Sequence, residues 1–205
     1  MTSSFWLILS AALVYGLLHS LLASLKIKST FENWLAEHFD KWFRILYNGV
    51  AILTLLPILG LIFFLPDAPI YVIHFPWVVL TLLVQIIAVS TLVVGLHQTG
   101  IASFLGLRQL LVPRETEPIT LVTGGLYRYV RHPLYTAGLV FIWLVPTLTW
   151  NVLAFNIGIT AYILVGIYFE EKKLRLVYGE AYDEYRRKTA ALFPGIRLPD
   201  LKHIN

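Results

Sequence analysis

The sequence predicts an all-α, polytopic membrane protein with about five transmembrane helices, the last two forming a helical hairpin. Three observations carry this. Of the 205 residues, 58% are hydrophobic and only 14% charged, a balance foreign to soluble domains of this length. Several apolar runs approach the roughly 20 residues that a bilayer crossing needs. With five crossings, every lysine and arginine falls on one side of the membrane.

The runs are Phe5 to Leu25, Phe43 to Leu65 and Tyr71 to Leu96 for segments one to three. The apolar stretch from Leu134 to Phe169 is too long for one crossing. It is interrupted by "PTLTWN", Pro146 to Asn151, where a proline and polar residues signal a turn between segments four and five. Lys26, Lys28, Lys41 and Arg44 lie between segments one and two. Arg108, Arg114, Arg128 and Arg131 lie between three and four, and the other eight of the sixteen basic residues follow segment five. The positive-inside rule makes that side the cytoplasm of a bacterial inner membrane and places the N-terminus outside. No positive stretch precedes the first run, and its cations follow it, so it reads as a retained anchor rather than a signal peptide.

No repeat or long linker divides the chain. Residues 1–205 therefore read as a single domain, with a three-helix part at 1–96 and a part at 97–205 that holds most of the polar chemistry. The net charge of +4 is explained by topology and by lipid headgroups, not by nucleic acid. Cysteine is absent, which excludes disulfides, thiolate metal ligands and a cysteine nucleophile. His74, His97 and His132 share no ligand spacing, so no metal site is assigned.

Two polar clusters stand at the basic side. In "GGLYRYVRHPLY", Gly124 to Tyr135, Pro133 suits the first position of a helix and biases His132 away from helical geometry, so segment four should open there. A helix N-terminus flanked by Arg128 and Arg131 is a receptor for a carboxylate or phosphate. Arginines and tyrosines at this level also serve as interfacial anchors; the ordered His-Pro-x-Tyr string favours the functional reading. The second cluster is "YFEEKKLRLVYGEAYDEYRRK", Tyr168 to Lys188. Glu170 and Glu171 stand where segment five leaves the membrane, a position costly for carboxylates unless they face a partner or a wet cavity. Leu174, Val177, Ala181 and Tyr185 follow helical spacing, which predicts an amphipathic surface helix that Gly179 caps or kinks. In the apolar half, His19, Asn48 and Gln85 read first as side chains bonded to a neighbouring helix.

The string "LVTGGLYRYVRHPLYTAG", followed by an apolar hairpin, "EEKKLRLVYGEAYDEYRRK" and "FPGI", resembles the isoprenylcysteine carboxyl methyltransferase and phospholipid methyltransferase group, most closely over Ile119 to Pro194. With "HSLLAS", "FRILYN" and the hairpin included, it is similar to the methanethiol S-methyltransferase branch, also described as NnrU-like. The resemblance implies a cytosolic pocket for S-adenosyl-L-methionine, formed by the loop before helix four and the C-terminal amphipathic helix. It puts cofactor contacts on Ile119, Thr120, Leu121, Val122, Tyr127, His132, Pro133, Leu134, Tyr135 and Glu170, beside which Arg131 stands as a further anion-binding candidate. The group's carboxyl methyltransferases carry an arginine one turn before that glutamate, where this sequence has Gly166. That departure counts against a prenylcysteine carboxylate and for a small neutral or thiol acceptor. The group's glutamine before the cofactor strip has no equivalent at the same spacing, Gln109 being a substitute.

The expected reaction needs donor and acceptor held in line, with no metal. His19, His132 and Glu171 are the candidates for a proton-transferring catalytic group, and the sequence does not rank them. The acceptor is expected to enter from the bilayer, past Trp143 and Trp150 on the hairpin. The alternatives are a lipid amine or prenylcysteine carboxylate as acceptor, or a non-catalytic NnrU-like membrane protein.

Overall fold

The computed structural model describes residues 3–23, 39–105, 107 and 120–195. In chain order the helices are α1 (Ser3–Leu22), α2 (Phe39–Phe64), α3 (Trp77–Thr99), α4 (Ile101–Leu105), α5 (Pro133–Trp143), α6 (Trp150–Tyr178) and α7 (Glu180–Lys188), with a 3₁₀ turn at Gly125–Arg128. Strands β1 (Pro69–Val72) and β2 (Thr147–Thr149) form an antiparallel pair. Four helices, α1, α2, α3 and α6, are long and apolar enough to cross a membrane, and α5 is a shorter apolar helix. The protein is an all-α integral membrane protein.

Segment three starts later than its hydropathy indicates. Tyr71 belongs to β1, and α3 opens only at Trp77, after Pro76. The run "PIYV" is β-branched and aromatic between prolines, which suits an extended strand better than a helix start. Its partner is the interruption in the hairpin: Tyr71 pairs with Leu148 and Val72 with Thr147.

That small sheet explains how an 11-residue helix takes part in a crossing. At 1.5 Å per residue α5 is only about 16 Å long, half the hydrocarbon thickness. Extended residues after Trp143 supply the rest of the path. Carbonyls that an unbroken helix would satisfy must then find other donors, because lipid provides none. They do: Gln85 Nε2 donates to Phe141 O at 3.2 Å, Asn156 Nδ2 to Ile142 O at 2.6 Å, the Tyr71 hydroxyl to Val145 O at 3.3 Å and Ile73 N–H to Pro146 O at 2.8 Å. Gln85 thus bonds a neighbouring helix as expected, and Asn48 does the same with Leu105 O at 3.3 Å.

The expected surface helix from Tyr168 divides in two. Its first half continues α6 to Tyr178, and only α7 lies beyond. Gly179 makes the break at φ +54°, a conformation that residues bearing a Cβ rarely adopt. A 29-residue α6 measures about 43 Å, so its last turns pass the apolar layer and carry Glu170 and Glu171 to the polar boundary.

Helix α1 packs along α6, and α3 along α5. The α1 stripe Phe5, Ile8, Ala12, Gly16 and His19 is buried. Small residues bring the two backbones close: a Cβ at Gly158 would lie 2.5 Å from the Ala12 Cβ, and one at Gly16 would lie 2.9 Å from the Tyr162 Cβ. Close approach is what drives helix association where no hydrophobic effect operates. Gly158→Leu and Gly16→Leu should each lower stability in detergent by about 1 to 3 kcal/mol, read as a fall in thermal midpoint. Gly49→Ala, where an added Cβ meets nothing within 4 Å, is the control and should leave the midpoint unchanged.

Candidate functional site

The two polar clusters meet. His132 is the N-cap of α5 with extended φ, and Pro133 occupies the first turn, so the helix starts where the sequence places it. Residues 130–132 run beside the C-terminal segment: Val130 bridges Ala190 in parallel, Arg131 N–H donates to Ala190 O at 2.8 Å, and His132 N–H donates to Ala191 O at 3.0 Å. The Thr136 hydroxyl donates to Leu192 O at 2.6 Å. The C-terminal segment therefore closes over the start of α5.

Glu171 lies at the centre. Its Oε1 accepts from Arg131 Nε at 2.9 Å and from the Arg131 Nη2, with His132 Nε2 at 3.3 Å, while its Oε2 faces Arg186 Nε at 3.2 Å. Arg131 Nη1 also donates to the carbonyls of Thr189 and Arg186. Arg131 and His132 are buried, at 9% and 5% exposure. Tyr182 of α7 is fully buried against this group and in ring contact with Tyr185. Burial raises the Tyr182 phenol and pushes Tyr185 up to about 12. Both remain hydroxyls at any physiological pH, and Tyr185 donates to Tyr127 O.

Glu170 has a different setting. Its side chain is 43% exposed, yet its Oε2 is buried without a hydrogen-bond partner among the described residues; His132 Nδ1 is 3.7 Å away. Around that oxygen stand Tyr127, whose phenol is raised by burial and then by the Glu170 charge, and Tyr135, whose ring stacks on His132 at 5.6 Å. The N–H groups of Leu134 and Tyr135, in the first turn of α5, have no intrahelical acceptor. One orphaned acceptor and a row of free donors thus share one mouth.

Thr120, Leu121 and Val122 form the strip leading to the 3₁₀ turn, and Thr120 O accepts from the Tyr178 hydroxyl at 3.2 Å. Ile119 and Gln109 lie outside the described residues. Gln98, which the sequence did not single out, fixes the strip from the other side: its Oε1 accepts from Leu126 N–H at 3.1 Å, and its amide fills the space where a Cβ on Gly125 would stand. Gly125 has φ +60°, and the paired glycines were the available signal for such a close approach. Leu134 packs on Gly95 of α3. His19 is not at this mouth. It lies deeper, stacked with Tyr47 at 4.2 Å between ring centroids and close to Tyr15 and Tyr162.

The phospholipid methyltransferase family matches residues 79–181, which hold α3, α5, α6 and every described residue of both clusters. The methanethiol S-methyltransferase of Crocosphaera subtropica is 30% identical over 193 residues, covering 89% of this chain and 72% of that protein. The enzyme of the same name from Mycobacterium tuberculosis is 40% identical over 92 residues, 43% of this chain and 38% of its own. The protein-S-isoprenylcysteine O-methyltransferase of Schizosaccharomyces pombe is 37% identical over 90 residues, 42% of this chain and 37% of its own. No solved structure matches the chain. By the match over half its length and the relative aligned along most of it, the chain belongs to the phospholipid methyltransferase family of membrane methyltransferases.

Proposed function

We propose that this protein is an S-adenosyl-L-methionine-dependent methyltransferase that methylates a small hydrophobic thiol such as methanethiol, with its basic face and cofactor mouth in the cytoplasm, its N-terminus outside and its helices in a bacterial inner membrane. The observation that carries the reading is the orphaned Glu170 Oε2 facing the free N-terminus of α5 across His132. The cofactor is an amino acid joined to a nucleoside: its carboxylate suits the donors of Leu134 and Tyr135 and the positive end of a helix, and its amine or ribose hydroxyls suit an unpaired carboxylate oxygen. The residues present therefore fit the group. The names of the aligned relatives favour a thiol acceptor.

When bound, the cofactor supplies a methyl group on a sulfonium, so an acceptor R–SH gains the methyl and loses its proton while the cofactor sulfur keeps the electron pair of the broken bond. The chain's part is to bind, align and keep water out. Thr120, Leu121, Val122 and Tyr127 wall the mouth, and the segment through Leu192 covers it. Glu171, shared by two guanidinium groups, holds His132 and the start of α5 in position. The acceptor's proton leaves to an imidazole nitrogen of His19, at the apolar end of the path.

Calorimetry on the detergent-purified protein tests the reading. S-adenosylmethionine should bind saturably to wild type, and His132→Ala and Glu170→Ala should each weaken binding about tenfold or more, the loss of a charge-assisted contact. No binding to a folded wild type would end the proposal. Arg131→Met should behave otherwise: it strands the Glu171 carboxylate, which costs about 3 to 5 kcal/mol when a buried pair loses one member. The thermal midpoint should fall before any ligand is added. Turnover assays with volatile thiols, a phosphatidylethanolamine and a prenylcysteine separate the acceptor classes by product.

A further inference from the structure

We propose that the space over Gly166 is the acceptor chamber, a thiol-sized void roofed by the Tyr135 hydroxyl and floored by Tyr162, Tyr47 and His19. The inference rests on the methyltransferase reading and deepens it by giving the acceptor a site.

Four observations converge there. Tyr162, Gly166 and Glu170 follow one another at i, i+4 and i+8, so they form one row along α6. The row faces inward: Ile163 and Ile167 beside it are buried, whereas Leu164, Val165, Tyr168 and Phe169 on the opposite side are exposed, as lipid-facing residues would be. A Cβ added at Gly166 meets nothing within 4 Å, whereas the same test at Gly16 and Gly158, also on the α1–α6 side of the bundle, strikes Tyr162 and Ala12. Tyr135 reaches across this turn from α5, within electrostatic range of Glu170 at one end and of Tyr162 and Tyr47 at the other.

The far end is unusually polar for a membrane interior. His19 stacks on Tyr47 at 4.2 Å and meets Tyr162 edge-on at 5.7 Å, with Tyr15 completing the group at 5.6 Å from His19. The Tyr47 and Tyr162 hydroxyls interact with each other. Helices α1, α2 and α6 each contribute a ring, and buried hydroxyls in lipid carry a penalty unless they are used. Phenolic O–H groups are donors, and the anion they would meet here is the thiolate form of the acceptor, the reactive one. A side chain absent at Gly166 leaves room for a small alkyl group and little more.

The test uses full-length protein loaded with S-adenosylhomocysteine, so that no methyl can be transferred, and ethanethiol as the probe. Ethanethiol should bind the wild-type complex, and Gly166→Leu, which fills the void, should abolish that binding. Tyr47→Phe and Tyr162→Phe, which keep the rings, should weaken it about tenfold, and all three variants should hold S-adenosylhomocysteine within about twofold of wild type. Unchanged ethanethiol affinity in Gly166→Leu would overturn the proposal, as would loss of S-adenosylhomocysteine from folded Gly166→Leu, which would give the space to the cofactor. A wild type that binds S-adenosylhomocysteine but not ethanethiol refutes the thiol chamber and leaves the methyltransferase reading standing. One that binds neither removes both.

Discussion

Glu171 joins four pieces of chain that have no other reason to meet. It projects from the end of α6, takes the Arg131 guanidinium from the strip before α5 and Arg186 from α7, and lies against the imidazole that caps α5. Arg131 in turn holds the carbonyls beyond α7. Replacing such a group with packed apolar side chains can leave stability unharmed. What the ion cluster supplies is geometry: planar guanidinium forks accept one arrangement of carboxylate and carbonyl oxygens. That arrangement sets the start of α5 beside Glu170 and brings the C-terminal segment down as a cover. The two adjacent glutamates thereby divide the labour. One is saturated by protein donors, and its neighbour keeps an oxygen available.

The same economy of partners governs the opposite end of the bundle. Lipid offers no hydrogen bonds, so shortening α5 to 11 residues is tolerable only because Gln85, Asn156, Tyr71 and Ile73 take the carbonyls that the missing turns would have used. The β1–β2 pair is part of this accounting. Its strands are too short to be stable alone; they satisfy backbone between two helices, and they pin the hairpin so that His132 and Glu171 arrive at one level. About 16 Å of α5 and the extended residues after it span roughly the same rise as α6 from Trp150 to Glu170.

Much of this was legible in the sequence because membrane physics leaves few options. Segment number, the helix start at Pro133 and the break at Gly179 all follow from residues whose backbone preferences are strong. The charge pattern orients the proposed topology in the same way. The β1 strand escaped because hydropathy cannot tell an extended apolar run from a helical one when both are flanked by proline. The continuation of α6 to Tyr178 escaped because an amphipathic pattern beginning at the membrane exit has the same period whether or not the helix has already started. Gln98 and Tyr162 escaped for a different reason. Each acts through a contact with a residue far away in the sequence, Gly125 or His19, and spacing along one helix carries no trace of it.

Those long-range contacts also separate the polar groups by depth. His132, Tyr135 and Glu170 stand at the mouth; Tyr47, Tyr162, Tyr15 and His19 stand two helical turns further along α6, and Tyr135 alone touches both sets. Our reading of the chain requires such a division, because a charged soluble donor and a volatile apolar acceptor cannot approach through the same solvent. The donor's receptor must remain wet enough to admit a zwitterion, while the acceptor's must be dry enough to retain a small thiol. A ring with a hydroxyl at its edge meets both demands, apolar on its face and a donor at its tip. The boundary between the two chambers, on this reading, is one tyrosine wide, and the methyl group crosses at that boundary.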